Sequence, residues 1–225
     1  MISSRLSSLP LTLIYPVMTL AIGFAIGFVL RSLVRDREST KFQNQGEALL
    51  SQTLRQHFNT NDYHLLNHIT LKHDGSTTQI DHILVSRFGV FVIETKNYNR
   101  MIFANANDET WTQATFKGKF KFQNPIRQNY RHVLATRELL DFVPSAAIHS
   151  VVVFVGQAEF KTDIPTGVYL LSQLIEYLKS FTDEVLTVNR VQFCVGRLET
   201  ARLEISGNTD LEHMENLHRR YGQKP

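Results

Sequence analysis

The chain has 225 residues, 43% of them hydrophobic, enough for one domain with a sizeable core. Its net charge is +3, and basic and acidic residues nearly balance from Lys41 onward, so overall charge does not argue for a nucleic-acid partner; only a local patch could. The single cysteine, Cys194, excludes an internal disulfide framework, suits a reducing compartment and lies in an apolar stretch that reads as a buried, inert thiol.

Leu6 to Leu30 contains no charged residue. Leu11 to Leu30 alone is 20 residues, about 30 Å as a helix, which matches a bilayer core. Pro16 lies inside it, and membrane spans tolerate such a kink. A secretory signal peptide is the competing reading. Its apolar region would be about 7–15 residues long and followed by a small-residue cleavage site. This run is longer and ends Phe28-Val29-Leu30-Arg31. Residues 1–31 are therefore predicted to be an uncleaved single-pass membrane anchor, with residues 11–30 in the bilayer and 32–43 as a linker. Arg31, Arg35, Arg37 and Lys41 follow the segment and only Arg5 precedes it, which places the remainder on the cytoplasmic side. The Gly23-x-x-x-Gly27 spacing would let two such helices approach, as in a homodimer.

A helix is predicted from Asn44 to Phe58, with Leu50, Leu54 and Phe58 as its apolar stripe. Glu47 falls on that stripe, three residues before Leu50. It is either an acid aimed at the sheet or a first-turn glutamate favoured by the helix dipole. A strand from Tyr63 to Leu71 and a turn at Asp74-Gly75 follow. Two further strands then meet at Arg87-Phe88. Pairing about that turn sets Asp81 opposite Glu94, with Cβ atoms about 4.5–5.5 Å apart. Alternation puts Glu94 and Lys96 on one face, joined by Asp81. Glu-x-Lys on a strand is commonly a solvated ion pair. Here the neighbours are apolar on both faces, Ile80 and Ile83 to Val85, then Val90 to Ile93, so the charges sit at the rim of a core. Two carboxylates that close call for a cation between them, and Mg²⁺ suits oxygen ligands. The lysine beside it would hold or activate water, or steady a phosphate.

Short strands and turns are expected from Asn97 to Gln123. Phe116 to Phe122 alternates, with Lys117, Lys119 and Lys121 on one face and Phe116, Phe120 and Phe122 on the other. This is either an edge strand protected by lysines or a phosphate-contacting strip, which Arg100, Arg127 and Arg131 would extend. Trp111 reads as core, with base stacking from a loop as the alternative. A helix should begin at Asn124-Pro125 and run to about Val143, ahead of Pro144, carrying Gln128 and Arg131. Ile148 to Val155 reads as a central buried strand and Val168 to Leu171 as a short one. Helices are expected at Ser172–Phe181 with Ser172 as cap, at Val185–Leu203 and at Leu211–Arg220. His64 and His68 lack the partners of a zinc site. His82 alternates away from Asp81 and reads as packed.

The order of these elements resembles the core of the PD-(D/E)XK nuclease superfamily, and more narrowly the nuclease-related domain, NERD. The matching residues are Gly46-Glu47, Gln79-Ile80-Asp81-His82, the run Gly89 to Lys96, and Asn124-Pro125-x-x-Gln128. The resemblance implies an α/β, restriction-endonuclease-like core, a mixed central sheet flanked by helices, over residues 44–156. Residues 157–225 would form a helical C-terminal extension packed on it. It further implies that Asp81, Glu94 and the Thr95 carbonyl bind Mg²⁺, with Mn²⁺ as a substitute. Lys96 would position the attacking water, Glu47 would complete the acidic cluster, and Gln128 would support the site or touch substrate. Two positions depart from the family pattern: Ile80 replaces a proline, and His132 stands where many relatives have an aromatic residue four after the glutamine. The expected activity is hydrolysis of phosphodiesters in DNA rather than RNA. The alternative is a weak or inactive nuclease fold that docks nucleic acid or protein at the membrane.

Overall fold

The structure, a computed structural model, describes residues 44–203. The anchor and linker expected at 1–43 and the helix expected at Leu211–Arg220 lie outside the described residues. Among the described residues no helix is long and apolar enough to cross a membrane.

Helix α1 (Gln45–His57) is followed by strands β1 (Tyr63–His73), β2 (Ser76–Ser86) and β3 (Gly89–Lys96). Strands β4 (Arg100–Phe103), β5 (Thr110–Thr115) and β6 (Gly118–Gln123) come next, then helix α2 (Pro125–Leu139). Strands β7 (Ile148–Phe154), β8 (Ala158–Phe160) and β9 (Val168–Leu170) precede helices α3 (Leu171–Lys179) and α4 (Val188–Ala201).

The main sheet has the order β1-β2-β3-β7-β9. Its first three strands form an antiparallel meander, and β3, β7 and β9 run parallel. Central strands β3 and β7 are apolar on both faces because both faces are covered. On one face Leu50 and Leu54 of α1 and Leu174 and Leu178 of α3 pack against Phe91, Ile93, Val151 and Val153. On the other, Val133 of α2 and Val191, Cys194 and Leu198 of α4 cover Ile83, Val85, Val90 and Val92. A smaller sheet, β6-β5-β4-β8, lays Ile102 and Trp111 against Val152 and Phe154. The whole is a mixed α/β architecture, consistent with a nuclease-like core. Strand β9 belongs to the main sheet, so residues past 156 contribute to the core itself.

Several elements differ from expectation. Helix α2 stops at Leu139, short of Val143, because a turn closed by Val143 N–H on the Leu140 carbonyl brings both Leu140 and Val143 into the core. Ser172 is not a cap; α3 starts one residue earlier, and Gln173 Oε1 accepts from the Leu170 N–H at 2.9 Å. Trp111 is on β5, 1% exposed, with its Nε1–H donated to the Asn105 carbonyl at 2.8 Å, so it is core and not a stacking surface. Cys194 is buried and its thiol is pushed up to about 11 by burial, as expected of an inert thiol.

Asn129 ties α2 to the sheet. Its side chain is fully buried and donates to the Val92 carbonyl at 3.0 Å, Ser150 Oγ at 2.9 Å and the Val151 carbonyl at 3.0 Å. Asn129→Leu strands these buried acceptors and is expected to cost about 1–3 kcal/mol in urea unfolding.

Candidate active site

The site forms where β2 and β3 part. Their ladder runs from Ser86–Gly89 to His82–Ile93 and stops, although β2 continues to Ser76 alongside β1. The β1–β2 ladder in turn omits the His68–Asp81 rung between Asn67–His82 and Ile69–Ile80. Leu66 and Ile83 before this point, and Ile69 and Ile80 after it, all face the same core. Each strand thus spends one extra residue there, a paired bulge of the kind that re-aims side chains beside sites. His68 accommodates it with φ +52°, an uncommon conformation for a residue with a Cβ. The direct Asp81–Glu94 rung expected from simple alternation is therefore absent from the ladder. Asp81 instead turns into the fork, where Oδ2 accepts the Thr95 N–H at 2.7 Å. A strand residue directs its N–H and carbonyl to the same edge, so the Thr95 carbonyl lies on the Asp81 side.

Glu94 is 2% exposed. Its Oε1 accepts from Lys96 Nζ at 2.6 Å and its Oε2 from His132 Nε2 at 3.1 Å. His132 Nδ1 lies 2.7 Å from the Thr78 hydroxyl. The Glu94 carboxylate can only accept, so the Nε2 that faces it carries a proton. Lys96 Nζ also donates to Gln128 Oε1 at 3.0 Å. Glu47 enters from the first turn of α1, where Asn44 Oδ1 caps the Gly46 and Glu47 N–H groups at 2.9 and 3.1 Å and Asn44 Nδ2 donates to Glu47 Oε1. Both readings of Glu47 hold: it is a first-turn acid, and it is buried.

The electrostatics divide the carboxyls. Burial, then the charge of Glu94, pushes Glu47 up to about 7 against the Asn44 hydrogen bonds. Burial, then Glu94 and Glu47, raises Asp81 well above the usual carboxylate range. Burial alone would raise Glu94, but the His132 hydrogen bond and Lys96 outweigh it and hold Glu94 low. Burial alone would lower Lys96, but Glu94 and Asp81 raise it. Lys96 is therefore held as an ammonium.

A carboxyl raised on folding stabilises below its unfolded pKa and loses that contribution as pH rises through the folded value. Without divalent cations, stability is expected to fall between about pH 4.5 and 7, the interval over which Glu47 is raised. The loss is on the order of 3 kcal/mol for this group. Urea unfolding across that range, with Glu47→Gln showing a flatter profile, is the check.

Glu47, Asp81, Glu94, Thr95, Lys96 and Gln128 are thus brought together. Among the described residues no three acidic, histidine or cysteine side chains converge as a metal site. The candidate set is two carboxylates and a carbonyl, and its chemistry fits a hard cation. Asp81 has committed one oxygen, each Glu94 oxygen keeps a second acceptor position, and the mutual repulsion of three carboxyls is what a divalent ion relieves.

The basic residues stand apart. The edge position of β6 agrees with an edge strand carrying lysines. Strict alternation does not hold: Lys117 and Phe116 are in the β5–β6 turn, Phe116 is 90% exposed, and only Lys119 and Lys121 share a face on the strand. Arg127 donates to the Asn107 carbonyl at 2.7 Å and lies 4.0 Å from Glu109, while Arg131 is half-buried on α2. His82 is fully buried against Asn67 at 2.9 Å, and burial pushes it down to about 3.

Three supporting residues escaped the sequence reading. Asn44 is a plain N-cap signal before an amphipathic run. His132 lies one helical turn past Gln128, so its ring shares the face that meets Glu94. Thr78, which orients that ring, carries no local signal.

The chain belongs to the nuclease-related domain family, NERD, whose pattern matches residues 43–155. An uncharacterized protein of Bacillus anthracis is 29% identical to it over 211 residues, which cover 89% of this chain and 95% of that protein. No solved structure matches the chain.

Proposed function

We propose that the protein is a divalent-cation-dependent nuclease that hydrolyses phosphodiester bonds in DNA. Asp81, Glu94 and the Thr95 carbonyl would hold Mg²⁺, with Mn²⁺ able to substitute. The observation that carries this reading is the fork itself, where Asp81 leaves the ladder to join the Glu94–Lys96 pair at the Thr95 backbone. A cation bound there would lower the pKa of water and offset charge on the phosphorane.

The remaining work falls to the chain. The Lys96 ammonium spends two of its three N–H bonds on Glu94 and Gln128, leaving the third for water or a phosphate oxygen. Gln128 fixes the direction of that ammonium. His132, held by Thr78, keeps Glu94 ionised and oriented. Glu47 supplies the third carboxylate at the mouth of the fork. Anchoring through residues 11–30, a cytoplasmic orientation and pairing of anchors into a homodimer belong to the same proposal.

A second reading, a docking module without turnover, is favoured by one observation: Lys96 and His132 already hold both Glu94 oxygens. Incubating the full chain with DNA in Mg²⁺, Mn²⁺ or EDTA separates the two. Product with either metal and none in EDTA is expected. Tight DNA binding with no metal-dependent product selects docking.

A further inference from the structure

We propose that the open face of the smaller sheet, with the tip of the β5–β6 hairpin, is a platform for single-stranded nucleic acid. This deepens the nuclease reading by naming the strand form of the substrate, and only the chemistry after binding rests on that reading.

Two mixed rows cross the sheet on this face, each with one exposed apolar side chain. Met101 is registered through Ala114 to Lys119, and Phe103 through Thr112 to Lys121. Each row starts with a large side chain more than a third exposed, 38% and 39%, and ends on an exposed lysine. At the hairpin tip Phe116 is 90% exposed, with the Arg100 guanidinium 4.4 Å from its ring centroid. Arg100 is held with φ +75° by its N–H on the Gln157 carbonyl at 2.8 Å, and Gln157 N–H donates to Asn99 Oδ1 at 2.7 Å. A left-handed arginine fixed by neighbours signals a constraint beyond packing. It lies four residues past Lys96, so about 14 Å of extended backbone at most separates the platform from the site.

The charges leave this face basic. Among the described residues Lys117, Lys119 and Lys121 have no acidic partner, whereas Glu159 is paired with Lys161 and Glu109 lies 4.0 Å from Arg127. Asp108 and Asp163 line a cleft of 570 Å³ at the Phe103 end and bound the basic surface there. Aromatic faces interleaved with unpaired lysines suit unstacked bases and their phosphates. A duplex hides its base faces and would use the lysines alone. An anionic lipid surface would call for apolar groups gathered at the tip, but here they are spread across a sheet beside lysines.

The test is fluorescence anisotropy of the full-length protein in EDTA. Probes are a labelled 20-mer single strand and its duplex, with phosphatidylserine vesicles as a parallel arm. Phe116→Ala is expected to weaken single-strand binding about tenfold. Lys119→Ala with Lys121→Ala should lower the slope of log affinity against log salt by about 1.4. Both variants alter exposed side chains, and an unchanged Tm confirms the fold. The single strand should bind at least tenfold tighter than the duplex. Unchanged single-strand affinity in both variants, equal affinity for duplex, or a loss confined to vesicle binding overturns the platform. Asp81→Ala should keep single-strand affinity. Unaltered protein that binds the single strand in EDTA but gives no product with Mg²⁺ or Mn²⁺ would count against the hydrolytic reading alone.

Discussion

Lys96→Ala is expected to lower DNA cleavage at least 10²-fold while leaving divalent-cation affinity equal or higher, whereas Asp81→Ala removes both. Lys96 is a cation beside three carboxyls, and it is held charged by Glu94 and Asp81. Its loss removes repulsion toward a bound metal ion and so does not weaken the ligand set. What disappears is the N–H group left for water or phosphate, an interaction worth most when charge builds in the transition state. Asp81 by contrast would supply a ligand oxygen beside the Thr95 backbone. A structural cost accompanies Lys96→Ala, because Glu94 is 2% exposed and keeps only His132 as a partner. Breaking a buried pair costs on the order of 3 kcal/mol. Single-turnover cleavage and Mn²⁺ titration must therefore be run below the variant's Tm. Lys96→Arg is the companion: it keeps the charge but replaces a point donor by a planar fork, and it should restore stability more than activity. Unchanged cleavage in Lys96→Ala would refute the role given to the ammonium.

The second large effect is expected at Gly46. A Cβ there would meet Asn97 Cβ at 2.6 Å, Val155 Cγ2 at 3.0 Å and Asn44 Oδ1 at 3.2 Å. None of these is the free end of a long side chain, so the start of α1 must move. That start carries both the Asn44 cap and Glu47. Overpacking of this kind costs about 1–3 kcal/mol, and Glu47 would be carried away from Asp81 and Glu94. Gly46→Ala should thus lower Tm, divalent-cation affinity and cleavage together. The measurement that discriminates is the acid side of the stability profile: lifting Glu47 out of its buried position beside Glu94 flattens the fall in stability between about pH 4.5 and 7. A variant with lower Tm and an unaltered pH profile would show that Gly46 serves packing only.

Much of this site could be read in the chain because its signals are local. Glu-x-Lys inside an apolar strand, a turn at Arg87-Phe88 and an acid on the buried stripe of a helix each follow from periodicity. The parallel partner strand Ile148–Phe154 was equally visible, since a run apolar on both faces has to be central. The paired bulge at His68 and Asp81 was not. Two strands each inserting one residue preserve the register sum, so alternation looks intact from the turn outward while the faces exchange at Asp81. Asp81 does reach the Glu94 strand, but through the bulge and the Thr95 N–H rather than through a direct rung opposite Glu94. Positive φ at a histidine has no sequence signature, and the Thr78–His132–Glu94 chain joins three elements distant in sequence. Alternation also groups Phe116 with Phe120 and Phe122 on one face, which fails because Phe116 falls in the turn.

The most direct test is anomalous X-ray diffraction from crystals of the protein grown with Mn²⁺. The account expects one strong peak in the fork, within bonding distance of Asp81, Glu94 and the Thr95 carbonyl, with Lys96 Nζ beside it and unbound. A lattice saturated with Mn²⁺ whose fork stays empty, with ions bound elsewhere and Glu94 still closed on Lys96 and His132, would contradict it.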